Sequence, residues 1–373
     1  MTVAIEKSEP IRLGATAPAS WETYSAERLG DIGPFWEALE GKTCSPMQQY
    51  IWTDACRASL PINGELLVVA VKTGLKSGAI APLVRLYGGT RRLEHLGVKY
   101  IHEPADFLYS DAAALKMLAS TLVELGSPLF LERLPADSPT IVAIQDAFQG
   151  RGKVFLRPGK PYPRIALNED WEEPGSQLNS GRRSDLRRAI RNAEKMGLLR
   201  YEVLSPTPGE LAPLLEEAFE VEAANWKGRE GSAVARDTLR GEFYRRYAAA
   251  ASEAGMLRLC FMRVGGRAIA MQYAIECGGS FWLLKIGYRE EFARCSPGML
   301  LIAETIRYAA SRGLNSYEFL GTAASWTRIW TKDECASVSL RAYPTNVRGV
   351  AALAVDAVQS ARNRLVHRLR RDK

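Results

Sequence analysis

The segment FWLLKIGYREEFARCSPGMLLIAETIRYAASRGLNSYEFLG, residues 281–321, decides the fold of this chain. Its apolar pattern predicts a strand at 281–288, a helix at 297–312 and a second strand at 316–320. Pro297 at the start of the helix and a glycine after its end are the residues preferred at those positions. Free backbone N–H groups at a helix start favour anions, so this start fits either the site of a phosphorylated ligand or an ordinary capped helix. Its position after a predicted meander of strands and before an apolar strand favours the ligand site.

Three predicted strands lead into this unit. The runs at 257–264 and 268–276 are joined by Gly265-Gly266, and Gly278-Gly279 precedes the strand at 281–288. Two-residue glycine turns between apolar strands are a strong hairpin signal. The pattern therefore predicts an antiparallel meander beside the strand–helix–strand unit.

The first half of the chain repeats this order of elements. Paired strands are predicted at 65–71 and 78–86, a helix at 112–125 and a further strand at 129–134. The shared order predicts a structural duplication and an α/β (α+β) fold of two domains, each with a mixed, mostly antiparallel sheet flanked by helices. The predicted organisation is a flexible arm at 1–20, an N-terminal domain at 21–160, a C-terminal domain at 161–345 and a basic C-terminal helix at 346–373.

Composition and charge narrow the class of protein. The chain has 47% hydrophobic and 24% charged residues and a net charge of +7, of which the tail 341–373, with eight basic and two acidic residues, carries +6. The apolar start and basic end of this tail fit either a helix on a membrane surface or a helix packed on the core. Six scattered cysteines and three histidines predict neither a disulfide framework nor a metal site. No apolar run is long enough to span a membrane, so we expect a cytoplasmic protein.

Several short runs resemble the GNAT superfamily of acyltransferases, and within it the CelD-like acetyltransferases of cellulose and exopolysaccharide biosynthesis. In the second half the runs are GYREEF (287–292), SPGMLL (296–301), RGL (312–314) and YEFLG (317–321). In the first half they are SPMQ (45–48), IAPL (80–83) and LPADSP (134–139). The resemblance implies tandem GNAT-like domains, similar to the FemABX enzymes, and acetyl-CoA or another acyl-CoA as cosubstrate, with no metal.

The predicted binding residues follow from the helix start and from the resemblance. The cofactor-binding residues are predicted to be Arg294, Ser296, Gly298 and Met299, which supply charge, capping and close backbone approach. The acceptor is expected to be a small molecule or glycan. Its predicted contacts are Asp106, Trp226, Lys285 and Trp326; tryptophans stack on sugars as readily as they fill cores.

Transfer from a thioester requires deprotonation of an amine or hydroxyl and stabilisation of an oxyanion. A backbone N–H of the strand 281–288 is the predicted oxyanion donor. Glu318 is the first candidate for the general base and Glu276 the second, and Tyr288 is predicted to protonate the leaving thiolate. The expected acceptor is a saccharide or a lipid-linked intermediate of polysaccharide or envelope synthesis.

Two departures of this sequence from the GNAT and CelD-like patterns keep other functions open. The GNAT signature Q/R-x-x-G-x-G/A is represented by Gly298 alone, four residues after Arg294, and Trp326-Thr327 stand where CelD-like sequences commonly carry Tyr-Lys. The alternatives are a FemABX-like transferase that uses aminoacyl-tRNA and a degenerate, non-catalytic GNAT scaffold. The basic residues that would then face the tRNA are Arg183, Arg187, Arg191 and Lys195, which equally fit a solvated stripe on an amphipathic helix. No nucleic-acid motif accompanies them, and binding of nucleic acid is otherwise not expected.

Overall fold

The computed structural model describes residues 20–41, 44–224 and 238–371. The helices are α1 (Leu29–Leu39), α2 (Tyr50–Ser59), α3 (Val98–Ile101), α4 (Ala112–Glu124), α5 (Pro139–Phe148), α6 (Ser180–Glu194), α7 (Pro208–Ala223), α8 (Thr238–Glu253), α9 (Pro297–Ser311) and α10 (Val347–Arg371). Within the described ranges, no helix is both long enough and apolar enough to cross a membrane.

The strands form two sheets. They are β1 (Ser20–Tyr24), β2 (Gly64–Lys72), β3 (Gly78–Leu86), β4 (Leu93–His95), β5 (Leu108–Tyr109), β6 (Leu129–Pro135), β7 (Gly152–Pro158), β8 (Tyr162–Ala166), β9 (Leu199–Leu204), β10 (Leu257–Val264), β11 (Arg267–Cys277), β12 (Ser280–Tyr288), β13 (Ser316–Glu318), β14 (Glu334–Cys335) and β15 (Ser337–Pro344). The first sheet has the order β1-β2-β3-β4-β6-β15-β7, with β5 beside β3, and the second has the order β14-β8-β13-β12-β11-β10-β9.

The two sheets have the same design. Each begins with four antiparallel strands, β1 to β4 and β9 to β12, and continues with a parallel pair, β4–β6 and β12–β13. A helix connects the two strands of each parallel pair, α4 in the first sheet and α9 in the second. The predicted fold class, two mixed and mostly antiparallel sheets flanked by helices, is confirmed, and the shared order supports the predicted duplication.

The second half contributes a strand to the first sheet. The sequence places β15 in a C-terminal domain at 161–345, but β15 pairs with β6 and β7 and so lies inside the first sheet. The chain crosses between sheets at two adjacent points, where the Gly159 N–H donates to the Ser337 carbonyl (2.7 Å) and the Ser337 hydroxyl donates to the Lys160 carbonyl (2.9 Å). The predicted domain boundary near residue 160 coincides with one of these crossings. β15 belongs to the first sheet because strand pairing, not sequence order, decides which sheet a strand joins.

A continuous apolar core joins the halves. Trp52 of α2 packs edge-to-face on Phe243 and Tyr247 of α8, with ring centroids 4.9 and 5.0 Å apart. The Tyr247 hydroxyl donates to Oε1 of Gln49 at 2.9 Å, so this buried contact also has its polar group satisfied. Burial of three large aromatic rings at one contact holds α8 of the second half against the first half.

Candidate active site

The parallel strands β12 and β13 run together for only three residues and then separate. Ser280 lies opposite Ser316 and Trp282 opposite Glu318, and within the described residues β12 has no strand partner on this side after Trp282. A bulge at Leu284 interrupts the pairing of β12 with β11, because Lys285 faces Tyr273 whereas Leu283 faces Ala274. Bulges bend a strand and redirect its side chains. The separation and the bulge open a gap in the middle of the second sheet.

A cavity of about 560 Å³ fills this gap. Its walls come from the separated part of β12, the start of α9, the residues after β13 and one loop of the first half. The polar or charged side chains on the wall are those of Glu103, Gln272, Lys285, Tyr288, Ser296, Thr322, Trp326 and Trp330. Ligand pockets are commonly of this size and combine apolar walls with a few polar groups.

The start of α9 forms one wall. Ser296 adopts the left-handed conformation (φ 46°, ψ 53°), and Pro297 takes the first helical position. Pro297 suits this position because the missing N–H would have no partner inside the helix. A β-carbon on Gly298 would meet only Cδ1 of Tyr288, at 3.7 Å, so the space in front of the first turn is open. Pro297 has no N–H, and the N–H groups of Met299 and Leu300 donate to the Ser296 carbonyl at 3.0 and 3.2 Å. The N–H of Gly298 and the positive end of the helix dipole are what this helix start offers to an anion.

The opposite wall receives Glu103 from the first half. This side chain is 7% exposed, and its Oε2 atom has no hydrogen-bond partner among the described residues. Burial raises the pKa of Glu103, whereas the charges of Lys285 and Arg133 and a hydrogen bond from the Gly321 backbone oppose that rise. A buried carboxylate oxygen without a partner is costly unless a ligand or water satisfies it.

Arg133 fixes the loop that carries Glu103. Its guanidinium donates to the carbonyl of His102 through Nη1 and to the carbonyl of Gly321 through Nη2, the latter at 2.8 Å. Arg133 itself has φ 54°, an uncommon conformation for a residue with a side chain, at a bulge in β6. The Glu103 loop and the segment after β13 are therefore held together by one side chain of the first sheet.

The two faces of the sheet give the cavity two different sides. Tyr317 of β13 lies on the α9 face, where its hydroxyl is 3.0 Å from Oγ1 of Thr305. Gln272 lies on the same side, and its Nε2 atom is buried without a partner among the described residues. On the other side, Nζ of Lys285 lies 4.8 Å from the ring centroid of Tyr244 in α8. One side thus presents an amide donor near α9, and the other presents charged groups near the first half.

Six of the residues predicted from sequence line the cavity. They are Ser296, Gly298 and Met299 at the start of α9, Lys285 and Tyr288 on β12, and Trp326 in the segment after β13. The ring of Trp326 also packs edge-to-face on Phe319, with centroids 5.8 Å apart. These residues remain candidates for binding and catalysis.

The two predicted general bases lie outside the cavity wall. Glu276 belongs to an ion-pair cluster, in which Nε of Arg258 lies 2.9 Å from its Oε2 and Nη2 of Arg312 lies 3.5 Å from its Oε1. Glu318 accepts from the Ser316 hydroxyl at 2.7 Å and pairs with Arg164 at 3.0 Å. The predicted base role of Glu276 is corrected, because its carboxylate holds two arginines at the far end of β11. Glu318 points away from α9, next to β8.

Two other predicted residues lie away from the cavity wall, and a third is not among the described residues. Asp106 is half-buried and accepts from the Ser138 hydroxyl at 2.6 Å and the Thr140 hydroxyl at 2.7 Å. It therefore fastens the start of α5 and does not reach the cavity, contrary to the prediction of an acceptor contact. Arg294 is exposed and off the cavity wall, and its carbonyl accepts from Nδ2 of Asn192 in α6 at 3.3 Å. Trp226 lies outside the described residues.

Sequence reasoning missed three contributors to the site. Glu103, Gln272 and Arg133 carry no recognisable motif, and the first and last of them belong to the first half. Only the packing of the halves places Glu103 on a cavity of the second sheet. The described ranges contain no group of three or more His, Cys, Asp or Glu side chains that could hold a metal ion.

Residues 180–328 match the family model described as an acetyltransferase (GNAT) domain. The matched segment begins at α6 and ends in the short helical turn after β13, so it includes the gap, the start of α9 and most of the cavity wall. No curated protein matches the sequence. The second half of the chain is therefore similar to a GNAT acetyltransferase domain.

Solved structures extend the fold relationship to both halves. The C-terminal DUF2156 domain of an Agrobacterium fabrum protein named for lysylphosphatidylglycerol synthesis is 13% identical, with a TM-score of 0.54 over 89% of this chain and 95% of that one. FemX is 12% identical, with a TM-score of 0.56 over 88% of this chain and 98% of that one. A tandem GNAT protein of clavulanic acid biosynthesis is 12% identical, with a TM-score of 0.43 over 88% and 99%. At these low sequence identities, the similarity to the Agrobacterium domain and to FemX concerns the fold alone. The TM-score of the third structure is too low to support an argument.

Proposed function

We propose that this protein is an acyltransferase that takes an acyl group, in the first instance acetyl, from coenzyme A and passes it directly to an acceptor. The observation that carries the proposal is the gap between β12 and β13, into which the open first turn of α9 faces. A helix start favours phosphate groups, and an unpaired strand edge can pair with amides. Together they suit a long cosubstrate that has phosphates at one end and amides along its arm.

The residues at this wall fit coenzyme A. Ser296, Gly298 and Met299 would hold the pyrophosphate, since no side chain of Gly298 blocks the first turn. Arg294, exposed beside the same turn, would add positive charge to the rim. When bound, the cosubstrate supplies a thioester, whose acyl carbon is activated toward nucleophiles.

The chain's own groups would assist the transfer at the bulge. A backbone N–H of β12 in the separated stretch would stabilise negative charge on the acyl oxygen, because its strand has no partner there among the described residues. Tyr288 lies on the cavity wall next to Gly298 and would donate a proton to the departing sulfur. The apolar remainder of the wall would keep water from the thioester.

For the acceptor we propose a saccharide or a lipid-linked intermediate of polysaccharide or envelope synthesis, as in the CelD-like proteins that the sequence resembles, used in the cytoplasm. Trp326 and Trp330 both line the cavity, and aromatic rings commonly stack on sugars. Lys285 is the lining residue best suited to an anionic group of such an acceptor.

Calorimetric titration with acetyl-CoA, followed by measurement of coenzyme A release over a panel of acyl-CoAs and acceptors, tests the proposal. We expect saturable binding and acceptor-dependent release. Absence of affinity for every acyl-CoA would refute this function and favour a non-catalytic scaffold.

A transferase that uses aminoacyl-tRNA is the second candidate, and one surface favours it. Arg183, Arg187 and Arg191 recur every four residues on α6, are exposed and make no ion pair within the described ranges. The α6 residue Asn192 contacts the backbone before α9, so this basic face leads to the cavity rim. Binding of charged tRNA that is lost after RNase treatment, without acetyl-CoA binding, would establish this candidate in place of the first.

The last helix suggests a membrane contact. Asp356 points into the protein, while Val347, Val350 and Val358 are 86%, 62% and 70% exposed. The sequence after residue 361 adds five arginines, which favours an anionic lipid surface as the partner. Sedimentation with vesicles of neutral and of anionic lipid tests this: we expect association with the anionic vesicles only, weakened by salt, and equal recovery with both would contradict it.

A further inference from the structure

We propose that Gln272 of β11 binds the acyl group of the cosubstrate, and that this group is a short chain with a neutral keto or hydroxyl oxygen beyond the thioester carbonyl. The inference rests on the acyl transfer proposed above and names the class of acyl group that the same site takes. It assigns specificity to a residue of a strand that does not itself border the gap.

The position of the Gln272 side chain is the first support. Gln272 belongs to β11, yet its Oε1 atom lies 3.5 Å from the hydroxyl of Tyr317 in β13. Because β12 lies between these two strands, the side chain crosses behind β12 on the α9 face. The residues of β12 that pair with Gln272 and Tyr317 are Ile286 and Phe281. The crossing is therefore level with the bulge at Leu284, in the stretch whose backbone would hold the acyl oxygen.

The amide nitrogen of Gln272 is a buried donor without a partner in the described part of the chain. The residue is 1% exposed and lines the cavity, and its Nε2 atom meets no acceptor there. A buried amide group that makes no hydrogen bond is costly, and native structures rarely leave one unmatched. Its place on a cavity wall therefore points to a ligand atom that accepts a hydrogen bond, such as an oxygen.

Neighbouring hydroxyl groups orient the amide. The hydroxyls of Thr305 and Tyr317 lie 3.0 Å apart, and the Tyr317 hydroxyl donates to Oε1 of Gln272. Thr305 and Tyr317 are both fully buried, and the ring of Tyr317 stacks on Phe281 with centroids 4.9 Å apart. Because the amide oxygen is occupied by this rigid neighbour, the NH2 group is left for a ligand.

The walls around the amide favour a neutral acyl group. Apolar residues of the cluster under α9 line the cavity on this face: Leu283, Leu301, Ile302 and Phe319. Among the described lining residues Lys285 is the one basic side chain, and it lies on the other face, next to α8. A carboxylate in an apolar space without a cation is costly, whereas a keto or hydroxyl oxygen is satisfied by the one donor that Gln272 supplies.

Acyl chains of equal length should therefore differ in affinity by the effect of one oxygen atom. An acetyl group has no oxygen beyond its carbonyl and leaves the amide to solvent. A butyryl chain would displace that solvent without replacing its hydrogen bond, which lowers affinity. A keto or hydroxyl oxygen on the third carbon would replace the bond, and this carbon is the expected position because the amide lies beside the stretch assigned to the acyl oxygen.

The test titrates the full-length protein calorimetrically with acetyl-CoA, butyryl-CoA, acetoacetyl-CoA and 3-hydroxybutyryl-CoA, so that no acceptor is needed. We expect wild type to bind acetoacetyl-CoA and 3-hydroxybutyryl-CoA at least about tenfold more tightly than butyryl-CoA. Gln272→Met keeps an unbranched side chain of similar length without the amide. In this variant the preference should vanish, while the affinity for acetyl-CoA and the thermal unfolding stay close to those of wild type. Gln177→Met, a change at an exposed glutamine, is the control and should retain the preference.

The possible results separate cleanly. Equal affinity of wild type for the three four-carbon chains, or a preference for butyryl-CoA, would overturn the proposal even if the variant did not fold, because wild type alone supplies this comparison. A preference for the hydroxyl chain alone would show that the amide presents its oxygen to the ligand, and would overturn the assignment of a donor. A preference that survives in Gln272→Met would assign it to another residue. In these three cases acyl-CoA binding, and so the proposed function, stays intact, whereas a wild type that binds none of the four acyl-CoAs would overturn the proposed function and this inference with it.

Discussion

Gly287 of β12 lies so close to α7 that a β-carbon on it would stand 2.4 Å from the Cα atom of Glu222. Real β-carbons do not approach backbone atoms so closely, so strand and helix are in contact through main chain at this point. Because Gly287 also lines the cavity, this contact sets the position of the separated strand edge.

Replacement of Gly287 by alanine is expected to lower the free energy of unfolding by about 1–3 kcal/mol, since β12 or α7 must shift to make room. Denaturant unfolding measures the change. Gly209, in the first turn of α7, has no atom within 4 Å of its would-be β-carbon and provides the control. Equal stability of Gly287→Ala and Gly209→Ala would show that the close approach is absent in solution.

Gly298→Glu is expected to weaken acetyl-CoA binding at least about tenfold, because its carboxylate would stand in front of the helix start that we assign to the pyrophosphate. The fold should tolerate it, since acidic residues are favourable in the first turn of a helix. Gly209→Glu is a matched control, because Gly209 also follows a proline at the start of its helix. Calorimetry that gives the same affinity for Gly298→Glu and wild type would place the site elsewhere.

Glu40 is expected to make stability depend on pH. Burial raises its pKa to about 7, while the N–H of Tyr50 donates to its Oε1 at 2.5 Å. The folded state therefore holds this proton more tightly than the unfolded state, whose pKa is near 4.5, and stability falls as pH rises from about 4.5 through 7. Melting temperatures between pH 5 and pH 8 should fall less in Glu40→Gln than in wild type. Parallel curves for the two proteins would contradict the expectation.

Asp356 fastens the last helix to the first sheet. It accepts from Nη2 of Arg92 at 2.7 Å and from the Tyr343 hydroxyl at 2.6 Å, and Arg341 lies 3.1 Å away. Because Asp356→Asn leaves two mostly buried arginines without their anion, we expect a loss of about 3–5 kcal/mol in stability. Hydrogen exchange should rise in residues 347–362.

The control for this change is Asp54→Asn, which removes a more exposed ion pair with Arg57 on α2. Such pairs contribute little, so its stability should stay close to that of wild type. If Asp356→Asn behaved like Asp54→Asn, the helix would be held by its apolar contacts alone.

The sequence predicts the local part of the fold well. Glycine turns, a proline start and alternating apolar residues lie within a few positions of one another, and β10, β12 and α9 match the predicted spans closely. The predicted placement of β15 was wrong, because no pattern in the nearby sequence indicates which distant strands it pairs with. Short-range chemistry fixes the elements, and long-range packing fixes their partners.

The residues of the candidate site also fall into those that a local sequence pattern indicates and those that only long-range packing brings to the site. Ser296 and Gly298 could be named because a helix start is visible in the sequence. Glu318 was a reasonable base by position, but side chains alternate along a strand and its carboxylate lies on the face next to Arg164. Glu103 reaches the cavity only through the packing of one half on the other, so no pattern around it could have indicated a role.

The position of β15 has a consequence for biosynthesis. β15 lies between β6 and β7 in the first sheet, so β7 has no neighbour until the ribosome has made residue 344. The amino-terminal half therefore waits, with an incomplete sheet, for nearly the whole polypeptide to emerge. A gene fragment that ends near residue 160 would therefore yield a first sheet without the internal strand β15. The remaining fragment would keep every strand of the second sheet but would carry β15 without a partner strand.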